Sequence, residues 1–252
     1  MRPSFSKCTK PPFTAMIQTR TLEQAIAGIT RARAEGAEAI GLQICRWEPE
    51  YHTEVCYRQA LQAAGDLPVY VTNYRRAQNK NRTYEELQEG LLTLAHCGAT
   101  LCDVMGDYFC PHPEELTEDP EAIKKQMKLI DQLHEAGAEV LMSSHVLKFP
   151  PAQRVLEIAQ EQVRRGADIV KIVTGAETME QQLENLRITA LLKKELKVPF
   201  LFLSGGECTL HRRLGLKLGC CMALCVYEHD AYSTASQPLL CTMKTIRDEI
   251  DF

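Results

Sequence analysis

A lysine stands in the middle of the apolar run DIVKIVT, residues 168–174. Side chains alternate along a strand, so Lys171 shares a face with Ile169 and Val173. A run this apolar is covered on both sides, and from a helix-facing position the ammonium would not reach water. Pointing instead into an interior with an open mouth, the amine can attack a carbonyl, its pKa lowered by burial or by a neighbouring cation. The same side chain can also form a structural ion pair with Asp103 or Asp168. His145 ends the preceding run, EVLMSSH, in phase with Leu141 and Ser143. If the two runs are adjacent strands, amine and imidazole meet at one rim, and the imidazole can move protons. Further along, Gly205-Gly206 lets backbone N–H groups approach an anion, and Arg212 can grip a carboxylate with two hydrogen bonds. Ser233 and Gln237 in AYSTASQP can add neutral hydrogen bonds, although such a loop before a proline also serves as a helix start.

These residues need a scaffold that brings strand ends together. Short apolar runs at residues 12–19, 37–45, 68–74, 100–105, 139–145, 168–174, 199–204 and 222–226 alternate with amphipathic stretches. The latter cover residues 21–35, 54–64, 83–97, 120–136, 151–165, 178–195, 209–216 and 238–250, and several carry apolar residues at helical spacing. Gly36-Ala37, Gly98-Ala99, Gly137-Ala138 and Gly166-Ala167 read as helix stops. Eight strand–helix units in 252 residues predict a (β/α)8 TIM barrel, one domain over residues 1–252. The rival, a doubly wound open sheet, calls for an early G-x-G-x-x-G, which the sequence lacks. In a barrel, chemistry sits at the C-terminal ends of the strands. The polar residues there are Gln43, Arg75, Asp103, Ser143, His145, Lys171, Thr174 and Ser204.

Composition narrows the function. Apolar residues make up 45% of the chain, enough for a large core, and no run approaches the roughly 20 apolar residues of a membrane span. The net charge is -4 with Lys and Arg scattered, which argues against nucleic acid as a partner. The eleven cysteines form no zinc-site spacing. With no secretory signal read at the N-terminus, they are expected to be reduced residues of a cytoplasmic protein.

The motifs around these residues resemble type I 3-dehydroquinate dehydratase, the Schiff-base-forming barrel family of the shikimate and quinate pathways. The resemblance runs over nearly the whole chain. GADIVKI at residues 166–172 is similar to the segment that carries the Schiff-base lysine, which falls on Lys171. SSH at residues 143–145 resembles the S-x-H of the catalytic histidine, which falls on His145. Arg75 matches the arginine after strand 3, and Arg212 the carboxylate-binding arginine after strand 7. Ser233 and Gln237 match the serine and glutamine of the family's S-A-P-G-Q loop. The resemblance implies a lyase that dehydrates 3-dehydroquinate to 3-dehydroshikimate, with no cofactor and no metal, since the iminium is the electron sink. A small carboxylated keto acid is the expected partner, and a homodimer is allowed for.

Several family positions are changed. The E-L-R-x-D of strand 2 reads Gly41-Leu42-Gln43-Ile44-Cys45, and the glutamate after strand 3 falls on Asn79. The D-x-E of strand 4 reads Asp103-Val104-Met105, Val146-Leu147 follow the histidine, and M-G-x-x-G-x-x-S-R reads SGGECTLHR at residues 204–212. In the family, the strand 2 residues and the glutamate after strand 3 contact the substrate's hydroxylated side or support the histidine. Their loss removes the family's carboxylate from beside the imidazole, with a consequence that depends on what replaces it, and leaves the neutral Gln43 and Asn79 at the substrate site. The expectation is conserved chemistry with poor activity on 3-dehydroquinate. A related lyase or aldolase on another carboxylated carbonyl compound, or an impaired ligand-binding paralogue, are the alternatives.

Overall fold

A computed structural model describes residues 3–206 and 209–250. Eight strands alternate with eight α-helices: β1 (Phe13–Ile17), α1 (Leu22–Ala34), β2 (Ala39–Gln43), α2 (Glu54–Ala63), β3 (Val69–Thr72), α3 (Tyr84–Cys97), β4 (Leu101–Met105) and α4 (Pro120–Glu135) form the first half. The second half is β5 (Glu139–Val146), α5 (Ala152–Arg164), β6 (Ile169–Gly175), α6 (Met179–Glu195), β7 (Phe200–Gly205), α7 (Thr209–Leu214), β8 (Ala223–Cys225) and α8 (Leu240–Glu249). Local chemistry sets the helix boundaries. Thr21, Thr53, Thr83, Asp119 and Thr178 each accept a hydrogen bond from a first-turn N–H. At Thr83, Glu86 returns the bond and closes a capping box. Gly36 and Gly137 end α1 and α4 at φ of 86° and 83°, a region that favours glycine, and each turns the chain straight into the next strand.

The strands form a parallel sheet in the order β7-β6-β5-β4-β3-β2-β1-β8. It curls into the (β/α)8 arrangement, but among the described residues no ladder pairs β7 with β8. Cys221 N–H, just before β8, crosses that seam to the Phe200 carbonyl at 2.8 Å. Ala39, Tyr70, Leu101, Leu141, Ile169 and Leu201 are buried in one cluster inside the curl. Phe5 joins them, and the Glu139 carboxylate at the start of β5 binds its segment through the N–H groups of Phe5 and Ser6, at 2.7 and 3.2 Å. The N-terminal end of the barrel is thereby plugged, which leaves the C-terminal ends of the strands to form a mouth.

No described helix is long and apolar enough to cross a membrane. The ten described cysteines are free; Cys45, Cys102, Cys220 and Cys225 are buried. Cys208 lies outside the described residues, as does Glu207 in the glycine-rich loop.

Candidate active site

A cavity of about 150 Å³ opens at the C-terminal ends of the strands. Lys171, His145, Arg212, Gln43 and Gln237 line it, together with Tyr70, Thr72, Tyr74 and Arg76. The last four follow from a single rule: two-residue alternation along β3 and its extension puts every second side chain on the inner face.

Lys171 is 4% exposed, and its Nζ sits in a cage. It donates to Tyr74 Oη at 2.6 Å, to Tyr70 Oη at 2.9 Å and to Asp103 Oδ2 at 3.0 Å. Asp103 is also the acceptor for Tyr74 Oη at 2.5 Å, for Ser143 Oγ at 2.5 Å and for the Tyr70 hydroxyl. Three acceptors satisfy the three N–H bonds of an ammonium, and the carboxylate opposite is saturated with donors. Burial pushes the Lys171 pKa down, and the attraction of Asp103 only partly offsets it. Burial pushes Asp103 up, but the Lys171 charge and the Ser143 and tyrosine hydroxyls outweigh it, so its pKa is lowered. Both directions favour an ionised Asp103 facing an amine that releases its proton more readily than a surface lysine does. The ion pair with Asp103 and the cavity-facing amine are thus one arrangement; Asp168 is elsewhere, bonded to His134 at 2.8 Å.

His145 pairs in register with Val173, one pleat above the Ser143–Lys171 pair. Its Nδ1 lies 2.5 Å from Glu115 Oε2, and the same oxygen accepts its backbone N–H at 3.1 Å. Burial raises the Glu115 pKa, but the His145 hydrogen bond and charge and the Arg76 charge outweigh it, holding the carboxyl below its usual value. An ionised Glu115 holds a proton on Nδ1, so the neutral ring carries its lone pair on Nε2, the tautomer a base requires. The Tyr74 ring meets the imidazole edge-on at 5.5 Å. Glu115 comes from the loop between β4 and α4. A Cβ at Gly106 would collide with the Glu115 carbonyl, so glycine lets the loop fold in. Buried Arg165 anchors it, donating to the carbonyls of Gly106 at 3.0 Å and Thr117 at 2.6 Å.

Across the cavity, Arg212 is held by Nε to the Ser204 carbonyl at 2.6 Å. An amine, a carboxylate-clamped imidazole and a guanidinium around one small cavity form a constellation for carbonyl chemistry on an anionic ligand. Residues 13–250 match the family model for type I 3-dehydroquinase. The chain belongs to the type I 3-dehydroquinase family. The 3-dehydroquinate dehydratase of Alkaliphilus oremlandii (strain OhILAs) is 33% identical over 95 residues, which make up 37% of this chain and 36% of that protein. The crystal structure of 3-dehydroquinate dehydratase from Geobacillus kaustophilus HTA426 superposes with a TM-score of 0.81 at 16% identity, covering 98% of both chains. That of the type I enzyme from Clostridium difficile, with covalently modified comenic acid, gives 0.81 at 14% identity, covering 97% of this chain and 94% of that one.

Within this dehydroquinase frame, three residues expected at the substrate stand elsewhere. Arg75 has the wrong parity: it points out of the barrel, forks onto the Asp107 carboxylate at 2.7 and 2.8 Å and lies 5.8 Å from the Tyr84 ring centre. Arg76 lines the cavity instead, its guanidinium 4.5 Å from the Tyr74 ring centre. Asn79 is buried behind the wall, donating to Asn73 Oδ1 at 2.7 Å and the Tyr74 carbonyl at 3.0 Å. The Ser233 hydroxyl closes a turn on Asp230, and Thr234 takes the place at the cavity. The partner that replaces the family's carboxylate beside the imidazole is Glu115, from a loop outside the motifs quoted above. Gln43 and Gln237 do reach the cavity. Gln43 accepts from Gln18 Nε2 at 2.6 Å, and Gln18 in turn accepts the Thr234 N–H at 2.8 Å.

Proposed function

We propose that this dehydroquinase-family protein is a Schiff-base-forming lyase that removes water from a carboxylated hydroxy-ketone, the reaction type that converts 3-dehydroquinate to 3-dehydroshikimate. The observation that carries this reading is the buried Lys171 amine, aimed into a cavity shared with the Glu115-clamped His145. Lys171 passes a proton to Asp103 and attacks the ketone carbon. The carbinolamine takes the proton back and loses water, leaving an iminium. The iminium cation acidifies the neighbouring C–H, and His145 removes that proton through Nε2. The same imidazole then hands a proton to the β-hydroxyl as it leaves. Hydrolysis of the conjugated imine releases an enone and restores the amine. Arg212, with Gln237, is assigned to the substrate carboxylate, and Gln43 to the opposite wall.

Borohydride reduction in the presence of a keto acid, read by intact mass and peptide mapping, tests the reading. The expected result is one ligand mass attached at Lys171. An adduct at a different lysine, or none with any keto acid, would overturn it.

A further inference from the structure

We infer that the site is shaped for a keto acid smaller and less hydroxylated than 3-dehydroquinate, and that Met16 sets this limit. The inference rests on the Schiff-base reading for its chemistry but on the cavity walls for its size. A cavity of about 150 Å³ is half the lower end of the usual ligand-site range of roughly 300 Å³. It is close to one known to hold benzene, at about 150 Å³. A six-membered ring carrying a carboxylate, a ketone and three hydroxyls has more than twice the non-hydrogen atoms of benzene.

The space is taken up at a definite place. Met16 and Gly41 are partners across the β1–β2 ladder. The thioether lies over the glycine: a Cβ there would overlap the Met16 sulfur and lie 3.0 Å from its methyl carbon. Gly41 therefore makes the room that Met16 fills. Val173, Leu203 and Leu224 continue the apolar lining. A substrate hydroxyl against this wall would exchange water for a thioether, a weak acceptor. Two buried polar atoms of the cavity residues, Thr72 Oγ1 and Gln237 Oε1, have no hydrogen-bond partner among the described residues. The arrangement fits a carboxylate at Arg212, a carbonyl at Lys171, one or two hydroxyls reaching Thr72 or Gln237, and an apolar flank on Met16.

The test is calorimetric binding of pyruvate, levulinate and 3-dehydroquinate to wild type, Met16→Leu and Met16→Ala, with borohydride trapping in parallel. In wild type the better short acid binds about tenfold or more tightly than 3-dehydroquinate, the discrimination expected when a small pocket meets an oversized ligand. Met16→Ala shifts that ratio at least tenfold toward 3-dehydroquinate, and Met16→Leu, which keeps the volume, leaves it unchanged. Wild type binding 3-dehydroquinate as tightly as the short acids overturns the inference. So does a ratio unmoved by Met16→Ala, or no binding of any of the three. Binding in the expected order without a borohydride adduct leaves the size limit standing and removes the Schiff-base reading. Adducts on every acid with no size order do the reverse.

Discussion

On one side of the cavity, formed by β3 to β6 and the loop after β4, chemistry is organised by charge. Asp103 holds Lys171, and Glu115 holds His145. On the other side, formed by β1, β2 and the segment after β8, Gln18, Gln43 and Thr234 bond among themselves, with Met16 beside them. Buried ions are costly to leave unpaired, whereas neutral hydrogen bonds are worth about 1 kcal/mol each. The first side therefore tolerates little change, and the second can be rebuilt cheaply. A family that keeps its reaction and changes its substrate would change in that pattern.

The largest effect should come from the charged side. Lys171→Met removes the nucleophile and should abolish borohydride trapping. It also leaves Asp103 buried without its cation, a loss of roughly 3–5 kcal/mol for a broken buried pair. Lys171→Met/Asp103→Asn should recover much of that stability and none of the trapping, as measured by urea unfolding and intact mass. A double variant that still traps ligand would break the assignment of the amine.

Next comes Glu115→Gln. The amide removes the negative charge facing Nδ1 and no longer fixes which ring nitrogen carries the proton. Turnover should fall about 10²-fold or more, the scale of general base catalysis, while imine trapping persists. The sign of the pH effect follows from the lowered Glu115 pKa. The stability from this clamp is present above the carboxyl's unfolded value, 4.5, and is lost as pH falls through the folded one. Equal loss of trapping and turnover would place Glu115 outside the proton-transfer step.

Arg212→Ala tests the grip on the carboxylate between the two sides. A hydrogen bond to a charged group is worth roughly 1.5–3 kcal/mol, so the dissociation constant for a keto acid should rise about 10- to 150-fold. The corresponding alcohol lacking the carboxylate should be unaffected. Beneath Arg212, His211 is fully buried and hydrogen-bonded to Thr189 Oγ1 at 2.8 Å. Burial, with the Arg212 charge, lowers its pKa to about 4. Between that value and 6.5 the unfolded chain binds the extra proton, so stability falls as pH drops through this window. From pH 7 to 5 the loss at this site is about 2 kcal/mol, and His211→Gln should flatten the slope in urea titrations.

The strand and helix pattern was legible because the two periodicities differ and Gly-Ala stops punctuate them. Strand ends came within two residues for most elements, as with β6, expected at 168–174 and found at Ile169–Gly175. Lys171 was legible because a charge within an apolar strand has few places to go. Arg75 follows its strand but has the wrong parity for the cavity; Tyr70, Thr72, Tyr74 and Arg76 read directly as one face once alternation is applied. Glu115 left no trace, because its position depends on Gly106 and Arg165 folding an irregular loop. Nor did Met16, whose role depends on the glycine opposite it in another strand.

The smallest effect is expected on the neutral wall. Gln43 accepts from Gln18 and donates through Nε2 to Cys45 Sγ at 3.6 Å, and both partners are neutral. Gln43→Ala removes one neutral bond of the Gln18–Gln43–Thr234 chain, and Gln18 keeps both its bonds to Thr234. A neutral hydrogen bond from Gln43 to a ligand hydroxyl is worth about 0.5–1.5 kcal/mol, or roughly 2- to 12-fold in affinity. Water can enter the space and satisfy the freed Gln18 amide, which pulls the figure toward the lower end. Ligands with a hydroxyl on that flank should lose most of it, and those with a methyl there should lose nothing. Measured against a matched pair of keto acids differing only in that group, Gln43→Ala should change the ratio while imine formation at Lys171 continues unchanged. A loss as large as that of Glu115→Gln would erase the division between the two walls, because it would make a neutral amide as necessary as the carboxylate behind the base.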